Sequence, residues 1–188
     1  MLLKKYIAEF NNVINIENAS VLIRLANTLS FEKAKIGTGV ENTKIRNVST
    51  FRFTANEQSL TICHWCYYLN YRIIHFMNAY LQKENFVKDI GNLVNCNQID
   101  LLKYEKDNHY DYHIDSTFFT NRTLSSILFL NNDYEGGELT FKNTYNDEEH
   151  IVKPFPGKLV VWPSNMMFPH AVKPIKKGIR YSIVAWAA

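Results

Sequence analysis

Two histidine-x-aspartate pairs near the middle of the chain carry the residue types best suited to binding a metal ion. One pair is His113 and Asp115, and the other, slightly earlier, is His109 and Asp111. Alternate residues of an extended strand point to the same face, so either pair would place an imidazole beside a carboxylate. This gives two ligands of a 2-His-1-carboxylate site, which holds Fe(II) and leaves coordination positions open. The third ligand must come from another part of the chain.

His170 is the best candidate for that third ligand. It follows the loop Pro163 to Pro169 and stands where a strand would begin, and distant strands can be neighbours in an antiparallel sheet. A lone histidine at a strand start is more often an ordinary structural residue. His150 is a weaker candidate, because it lies in an acidic turn.

Arg180 makes the functional interpretation of His170 more favourable. It lies in an apolar, strand-like run, where a buried guanidinium requires a partner and suits a carboxylate best. No acidic residue stands close to it in the sequence, so a bound dicarboxylate would supply that partner. Ser182, Val184 and Trp186 would share its strand face, giving a hydroxyl donor and an apolar wall.

The remaining sequence predicts the elements that position these residues. Short strand-like runs separated by turn sequences occupy the second half, and apolar residues at helical spacing occur in the first half. The predicted strands of the second half are 99–105, 110–115, 124–130, 138–142, 149–153, 158–162, 170–174 and 179–186. The predicted elements of the first half are a strand or lead-in at 4–14, a helix starting at 18–20, a long mobile connection at 31–49, a strand at 50–54 and a helix at 58–83. The fold is therefore predicted to be mainly β, a jelly roll with N-terminal helices packed on one sheet.

Length and composition predict one cytoplasmic domain. The chain has 188 residues, is 46% hydrophobic and carries a formal charge of +3, which is too weak to favour nucleic acid or an anionic membrane as a partner. No apolar run is long enough to span a membrane, and residues 1–10 lack the apolar region of a signal peptide. Three cysteines fit a reducing compartment better than a disulfide framework.

The order of motifs resembles the Fe(II)- and 2-oxoglutarate-dependent dioxygenases, most closely their prolyl 4-hydroxylase-like branch. The motifs are Tyr104-x5-Tyr110-x2-His113-x-Asp115, Leu124 to Asn131, Tyr134-Glu-Gly-Gly-Glu-Leu139, Pro156-Gly157, Trp162-Pro-Ser164, His170-x9-Arg180 and Gly178-x-Arg180-Tyr-Ser182. The resemblance covers roughly residues 98–188. It implies a double-stranded β-helix (jelly-roll) core there and a helical support region at 1–97, and it favours His113 over His109.

The resemblance also implies roles for individual residues. Three would be iron ligands, others would bind the cosubstrate 2-oxoglutarate, and two would contact the substrate. The implied iron ligands are His113, Asp115 and His170; the cosubstrate residues are Arg180, Tyr104, Ser182, Trp186 and Leu128; the substrate residues are Tyr110 and Arg122. Leu128 falls where some relatives place a second tyrosine on the cosubstrate carboxylate.

The implied activity is peptidyl-prolyl 4-hydroxylation, in which 2-oxoglutarate and O2 are consumed and succinate and CO2 released. Ascorbate is a further expected cofactor, and a protein or peptide containing proline is the expected partner. The alternatives are the same chemistry on a free amino acid or other small molecule, and a non-catalytic jelly-roll binding protein. The loop 116–121 is interpreted equally well as a lid over the substrate or as a surface loop.

Overall fold

The helices and strands follow the predicted order. The structure is a computed structural model that describes residues 3–36, 39–55, 59–85, 91–117, 120–146 and 148–188. Within these ranges the helices are α1 (Ile16–Ala26) and α2 (Leu60–Lys83), preceded by a 3₁₀ turn at Leu3–Tyr6. The strands are β1 (Ala8–Phe10), β2 (Glu32–Lys33), β3 (Arg46–Asn47), β4 (Ser49–Arg52), β5 (Gln98–Tyr104), β6 (His109–His113), β7 (Leu124–Phe129), β8 (Glu135–Gly136), β9 (Leu139–Lys142), β10 (Glu149–Val152), β11 (Leu159–Pro163), β12 (His170–Val172), β13 (Ile175–Lys177) and β14 (Arg180–Ala187).

Two antiparallel sheets form the core. One has seven strands in the order β1-β11-β7-β14-β5-β4-β2, and the other has five in the order β10-β9-β12-β6-β3. Strands β8 and β13 form a separate two-stranded ribbon. This is the predicted jelly roll, and the prediction of a mainly β fold with N-terminal helices is confirmed.

The helices cover the outer face of the seven-stranded sheet. Helix α2 begins after Ser59, whose side chain accepts a hydrogen bond from the amide of Ile62 and so caps the helix. Its buried stripe, which includes Leu69 and Met77, packs with Leu101 and Ile183 of the sheet in one apolar cluster. The sheet is therefore buried on both faces, which explains why every residue of β14 is buried.

Side-chain alternation along β14 separates the two sides of this sheet. Ile183 and Ala185 join the helix-side cluster, whereas Val184 and Trp186 join a second cluster that fills the space between the two sheets. Arg180 has the same strand parity as Val184 and Trp186. The interior between the sheets is thus where the site residues of β14 point.

Two details of the N-terminal half differ from prediction. Helix α1 begins at Ile16 rather than at 18–20, because the side chain of Asn15 caps it by accepting from the amide of Asn18. The connection 31–49, predicted to be mobile, contains the edge strands β2 and β3, although Gly37 lies outside the described residues. Two-residue edge strands carry too little alternation to be recognised in a sequence.

In the part of the chain that the structure describes, neither helix combines the length and apolarity needed to cross a membrane.

Candidate metal centre and its buried arginine

Three side chains converge between the sheets with the geometry of a metal site. Among the described residues, His113, Asp115 and His170 are the one group whose ligand atoms all lie within 4.8 Å of one another. The Nε2 atom of His113 is 3.6 Å from Oδ1 of Asp115, and Nε2 of His170 is 3.4 Å from Oδ2. Atoms about 2.1 Å from a common metal ion are roughly 3.0–3.4 Å apart when they occupy neighbouring positions, so the separations suit an ion.

Strand pairing explains how distant residues reach this point. Strand β12 lies antiparallel to β6, and its first residue, His170, is directly opposite His113. Asp115 lies two residues beyond the end of β6, where its backbone carbonyl accepts hydrogen bonds from the hydroxyl of Thr120 at 3.1 Å and from Nη1 of Arg122 at 3.4 Å. These bonds hold the carboxylate outside the strand but beside the two imidazoles.

Both histidines are oriented by the backbone. Nδ1 of His113 bonds to the carbonyl of Asp111 at 2.8 Å, and Nδ1 of His170 bonds to the carbonyl of Phe168 at 3.1 Å. A carbonyl can only accept, so in the neutral ring Nδ1 carries the proton and Nε2 keeps its lone pair. This arrangement presents both Nε2 atoms as metal ligands.

The electrostatics of the cluster also suit a cation. Burial by itself would raise the pKa of Asp115, but the imidazoles of His170 and His113 outweigh burial and hold that pKa well below its usual range. Burial, reinforced by His113, lowers the pKa of His170 to about 4, so this ring is neutral near pH 7. Oδ2 of Asp115 is buried without a hydrogen-bond partner, which is costly unless an ion or ligand compensates it. The donor set therefore fits a divalent metal.

The earlier histidine-x-aspartate pair does not join the cluster. Both ring nitrogens of His109 lie against backbone carbonyls, those of Asp107 at 3.2 Å and Lys44 at 3.1 Å. Regular alternation along β6 would place His109 and His113 on one face, but the alternation is interrupted between them. The pairing of β6 with β12 is irregular, since His170 opposes His113 while Val172 opposes Tyr110. Such a bulge reverses the side-chain alternation between the two histidines.

A buried arginine lies deeper between the sheets. Arg180 is fully buried, and its Nη1 donates to the hydroxyl of Ser182 at 3.1 Å. Its Nε and Nη2 have no hydrogen-bond partner, and no carboxylate within the described residues forms an ion pair with it. The guanidinium lies 5.0 Å from the ring centroid of Tyr104 and 5.2 Å from that of Phe129. Two unpaired donors in an enclosed space call for an anionic ligand.

Leu128 does not belong to this pocket, so its predicted place there is wrong. Its side chain lies in the helix-side cluster with Ile183, on the opposite face of the sheet from Arg180. Phe129 is the residue of this strand that contacts the guanidinium. The prediction is displaced by one residue along β7. A displacement of one residue assigns the side chain to the opposite face of the sheet.

The other predicted residues surround the metal cluster. Tyr110 stacks on His113 with ring centroids 3.5 Å apart, and the guanidinium of Arg122 lies 3.8 Å from the ring centroid of Trp186. Nη1 of Arg122 is also 3.9 Å from Oδ1 of Asp115. Sequence reasoning missed Arg46, whose guanidinium lies 4.8 Å from the ring centroid of Tyr110. Arg46 lies on strand β3, and the residues around it in the sequence do not indicate that it lies beside Tyr110.

The loop 116–121 is described only in part. A backbone pair links Thr117 with Thr120. Phe118 and Phe119, on which the lid interpretation depends, lie outside the described residues.

Replacing Gly137 by alanine is expected to destabilise the fold around Arg180. An added Cβ would lie 2.3 Å from Cδ1 of Ile175 and 3.2 Å from Cδ of Arg180. The backbone φ of +64° adds about 1–2 kcal/mol for a non-glycine residue, and the overpacking adds about 1–3 kcal/mol. Gly39→Ala is a matched control, because Gly39 has φ +78° but no atom within 4 Å of the added Cβ. Equal losses of unfolding free energy in the two variants, measured by chemical denaturation, would contradict the expected clash.

Comparison with known proteins finds similarity in the second half of the chain. Residues 99–188 match the model described as the 2OG-Fe(II) oxygenase superfamily. A PKHD-type hydroxylase of Synechococcus sp. (strain CC9902) is 36% identical over 90 residues, which are 46% of this chain and 39% of the relative. Another, of Pseudomonas putida (strain W619), is 31% identical over 121 residues, or 59% of this chain and 47% of the relative. The chain thus spans less than half the length of these two relatives.

Solved structures support the same fold over nearly the whole chain. A prolyl hydroxylase from Trichoplax adhaerens, in complex with a hypoxia inducible factor oxygen degradation domain peptide fragment, superposes with a TM-score of 0.77. It is 20% identical, with 97% of this chain and 83% of that chain covered. A Pseudomonas putida prolyl-4-hydroxylase has a TM-score of 0.71 at 19% identity, with coverage of 97% and 91%. At these identities the likeness establishes the fold.

Proposed function

We propose that the chain is an Fe(II)- and 2-oxoglutarate-dependent oxygenase acting on prolyl residues of a protein or peptide, since residues 99–188 match the model of the 2OG-Fe(II) oxygenase superfamily and PKHD-type hydroxylases are among the relatives. The observation that carries this proposal is the pairing of a His-Asp-His cluster with a buried, incompletely paired arginine. The cluster alone would also suit zinc, which commonly takes three protein ligands in catalytic sites. The match to the 2OG-Fe(II) oxygenase model supports Fe(II) over zinc.

The proposed ligands of iron are His113, Asp115 and His170. Backbone carbonyls hold both imidazoles in the tautomer that a metal requires. Thr120 and Arg122 hold the backbone of Asp115 in place by donating hydrogen bonds to its carbonyl oxygen. A bound cation would give the buried Oδ2 of Asp115 the partner that it lacks. Three protein ligands leave the remaining positions of the ion open for the cosubstrate and O2.

The proposed cosubstrate site lies between the metal cluster and Arg180. Arg180 would pair with the distal carboxylate of 2-oxoglutarate, and Ser182, which already accepts from Arg180, has its own hydroxyl proton free to donate. Tyr104 contacts the guanidinium, while Trp186 lines the same interior face of the sheet. The buried walls exclude water and so strengthen these charged contacts.

When bound, the metal and cosubstrate would supply the oxidative chemistry: 2-oxoglutarate, O2 and a substrate C–H bond give succinate, CO2 and a C–OH group, with one atom of O2 in succinate and the other in the hydroxyl. The protein orients the reactants and keeps the site dry. Tyr110 and Arg122, with Arg46 beside Tyr110, are the proposed substrate contacts, since they surround the metal cluster on one side. We further propose that residues 1–188 act as one domain, in which 1–97 support the core. Ascorbate dependence stays a prediction.

The proposal predicts hydroxyproline formation. Incubating the protein with Fe(II), 2-oxoglutarate and a panel of proline-containing peptides is expected to add one oxygen atom to a peptide and to release succinate in equal amount. Mass spectrometry with amino-acid analysis would locate the oxygen at C4 of proline. The variant His109→Ala is a matched control that should retain activity, because both ring nitrogens of His109 lie against backbone carbonyls and the ring is outside the cluster.

Other outcomes would favour the alternatives. Hydroxylation of free proline or lysine, with no reaction on any peptide, would replace the peptide substrate by a small molecule. Tight binding of 2-oxoglutarate without succinate release on any substrate would indicate a binding protein rather than an enzyme.

A further inference from the structure

The pocket around Arg180 contains a second buried donor without a partner. The hydroxyl of Tyr134 is buried beside Arg180, and its proton has no acceptor. Tyr134 precedes β8, outside the strands of the main sheets, which is why strand patterns give no signal for it. A buried phenol normally finds a hydrogen-bond partner, and lacking one is costly. This hydroxyl therefore calls for an explanation.

Gly137 locates the Tyr134 ring beside the arginine. A Cβ on Gly137 would lie 3.3 Å from Cε2 of Tyr134 and 3.2 Å from Cδ of Arg180, so the ring and the arginine stem border the same small gap. The absence of a side chain at Gly137 allows both to approach. Tyr134 also packs against the cluster that fills the space between the sheets. The phenol and the guanidinium thus belong to one pocket.

The groups around this gap hold more donors than acceptors, since the phenol oxygen of Tyr134 can accept from Arg180 while its own proton has no acceptor. Burial raises the pKa of Tyr134, and the nearby Arg180 counteracts this effect only in part, so the phenol stays protonated at neutral pH. Arg180 has no acceptor atoms, and its Nε and Nη2 remain unpaired. Phe129, on the other side of the guanidinium, contributes no hydroxyl. Buried donors that outnumber the acceptors around them are satisfied by an anion.

We propose that Tyr134 donates a hydrogen bond to the distal carboxylate of the cosubstrate, alongside Arg180 and Ser182. This inference rests on the proposed function, since it assumes that 2-oxoglutarate occupies the pocket. Tyr134 would then favour the binding of a 2-oxo acid that carries a second carboxylate.

The test compares two 2-oxo acids in the variant Tyr134→Phe, which keeps the ring and removes the hydroxyl. Calorimetric titration of Fe(II)-loaded protein without oxygen should show about a tenfold weaker Kd for 2-oxoglutarate, the typical effect of losing a hydrogen bond to a charged group. The Kd for 2-oxobutyrate, which has the same chelating atoms but no distal carboxylate, should not change. Tyr181→Phe is the matched control, because the Tyr181 hydroxyl bonds to Asn27 on the helix side of the sheet.

Each result decides the question. Unchanged 2-oxoglutarate binding in Tyr134→Phe would overturn the inference while leaving the proposed function intact. Equal weakening of both acids, together with a lower thermal midpoint of the free protein, would assign Tyr134 a structural role and also overturn it. Failure of the unmodified, metal-loaded protein to bind 2-oxoglutarate would overturn the proposed function and this inference together.

Discussion

Replacing Asp115 by alanine is expected to abolish metal binding and turnover. The three ligands are a minimal set, and Asp115 is the only anion among them, lying 3.6 Å and 3.4 Å from the two imidazole nitrogens. Removing a residue that only orients a metal ligand typically weakens metal affinity roughly 10- to 100-fold. Removing the Asp115 carboxylate, which is itself a ligand, should therefore weaken metal affinity by more than roughly 100-fold. His113→Ala and His170→Ala should have the same effect, because each removes one of the two neutral nitrogen ligands.

Metal-dependent stability gives a measurement that does not require a known substrate. A ligand that binds only the folded state at 100 times its Kd stabilises that state by about 2.7 kcal/mol. Adding Fe(II) without oxygen, or Mn(II), should therefore raise the thermal midpoint of the unmodified protein but not that of Asp115→Ala. His109→Ala and His150→Ala are the controls and should respond like the unmodified protein. If His109→Ala lost the response and His113→Ala kept it, the metal site would have to be reassigned to the earlier pair.

The sequence was sufficient to predict the ligand types but not all of their positions. The eight strands predicted for the second half lie within one or two residues of observed strands, because buried strands with clear turn sequences between them leave a strong pattern. The short strands β8 and β13 were not predicted. The pairing of His170 with His113 depends on which strands become neighbours, and no local pattern records this. His170 was predicted from its place at a strand start and from Arg180 further along the chain, and the resemblance to a family then favoured His113 over His109 as its partner.

The two wrong predictions at the site have one physical cause. A strand assigns side chains to faces with a period of two, so any irregularity or shift of one residue reverses the assignment. The irregular pairing of β6 with β12 turns His109 away from the cluster. The prediction for β7 was displaced by one residue, so it named Leu128 instead of Phe129. Tyr134 and Arg46 were missed for a different reason. They reach the site from a turn and from a two-residue strand, where the sequence carries no periodic signal.

Replacing Arg180 by methionine is expected to have opposite effects on binding and on stability. Removing the partner of a buried charge costs about 2–5 kcal/mol, so the Kd for 2-oxoglutarate should rise roughly 30- to 4,000-fold. Isothermal titration of the metal-loaded protein measures this change. The affinity for the metal itself should persist, because Arg180 is not among the ligands.

The free protein should gain stability from the same substitution. Arg180 is fully buried with two unpaired donors, and the contacts with Tyr104 and Phe129 offset only part of the cost of desolvating its charge. Replacing such a charge by an apolar side chain of similar length is often neutral or stabilising by about 1–4 kcal/mol. Chemical denaturation without ligand should therefore show an unfolding free energy equal to or above that of the unmodified protein.

A matched arginine separates this effect from a general consequence of removing a guanidinium. Arg72 donates from Nε to the carbonyl of Val13 at 2.7 Å and lies over the ring of Phe76, so its side chain is partnered within the fold. Arg72→Met should lower the unfolding free energy and leave 2-oxoglutarate binding unchanged. If Arg180→Met also destabilised the free protein, the guanidinium would be a structural element satisfied by its own neighbours. A gain in stability coupled to a loss of binding would instead show that Arg180 is retained for its ligand.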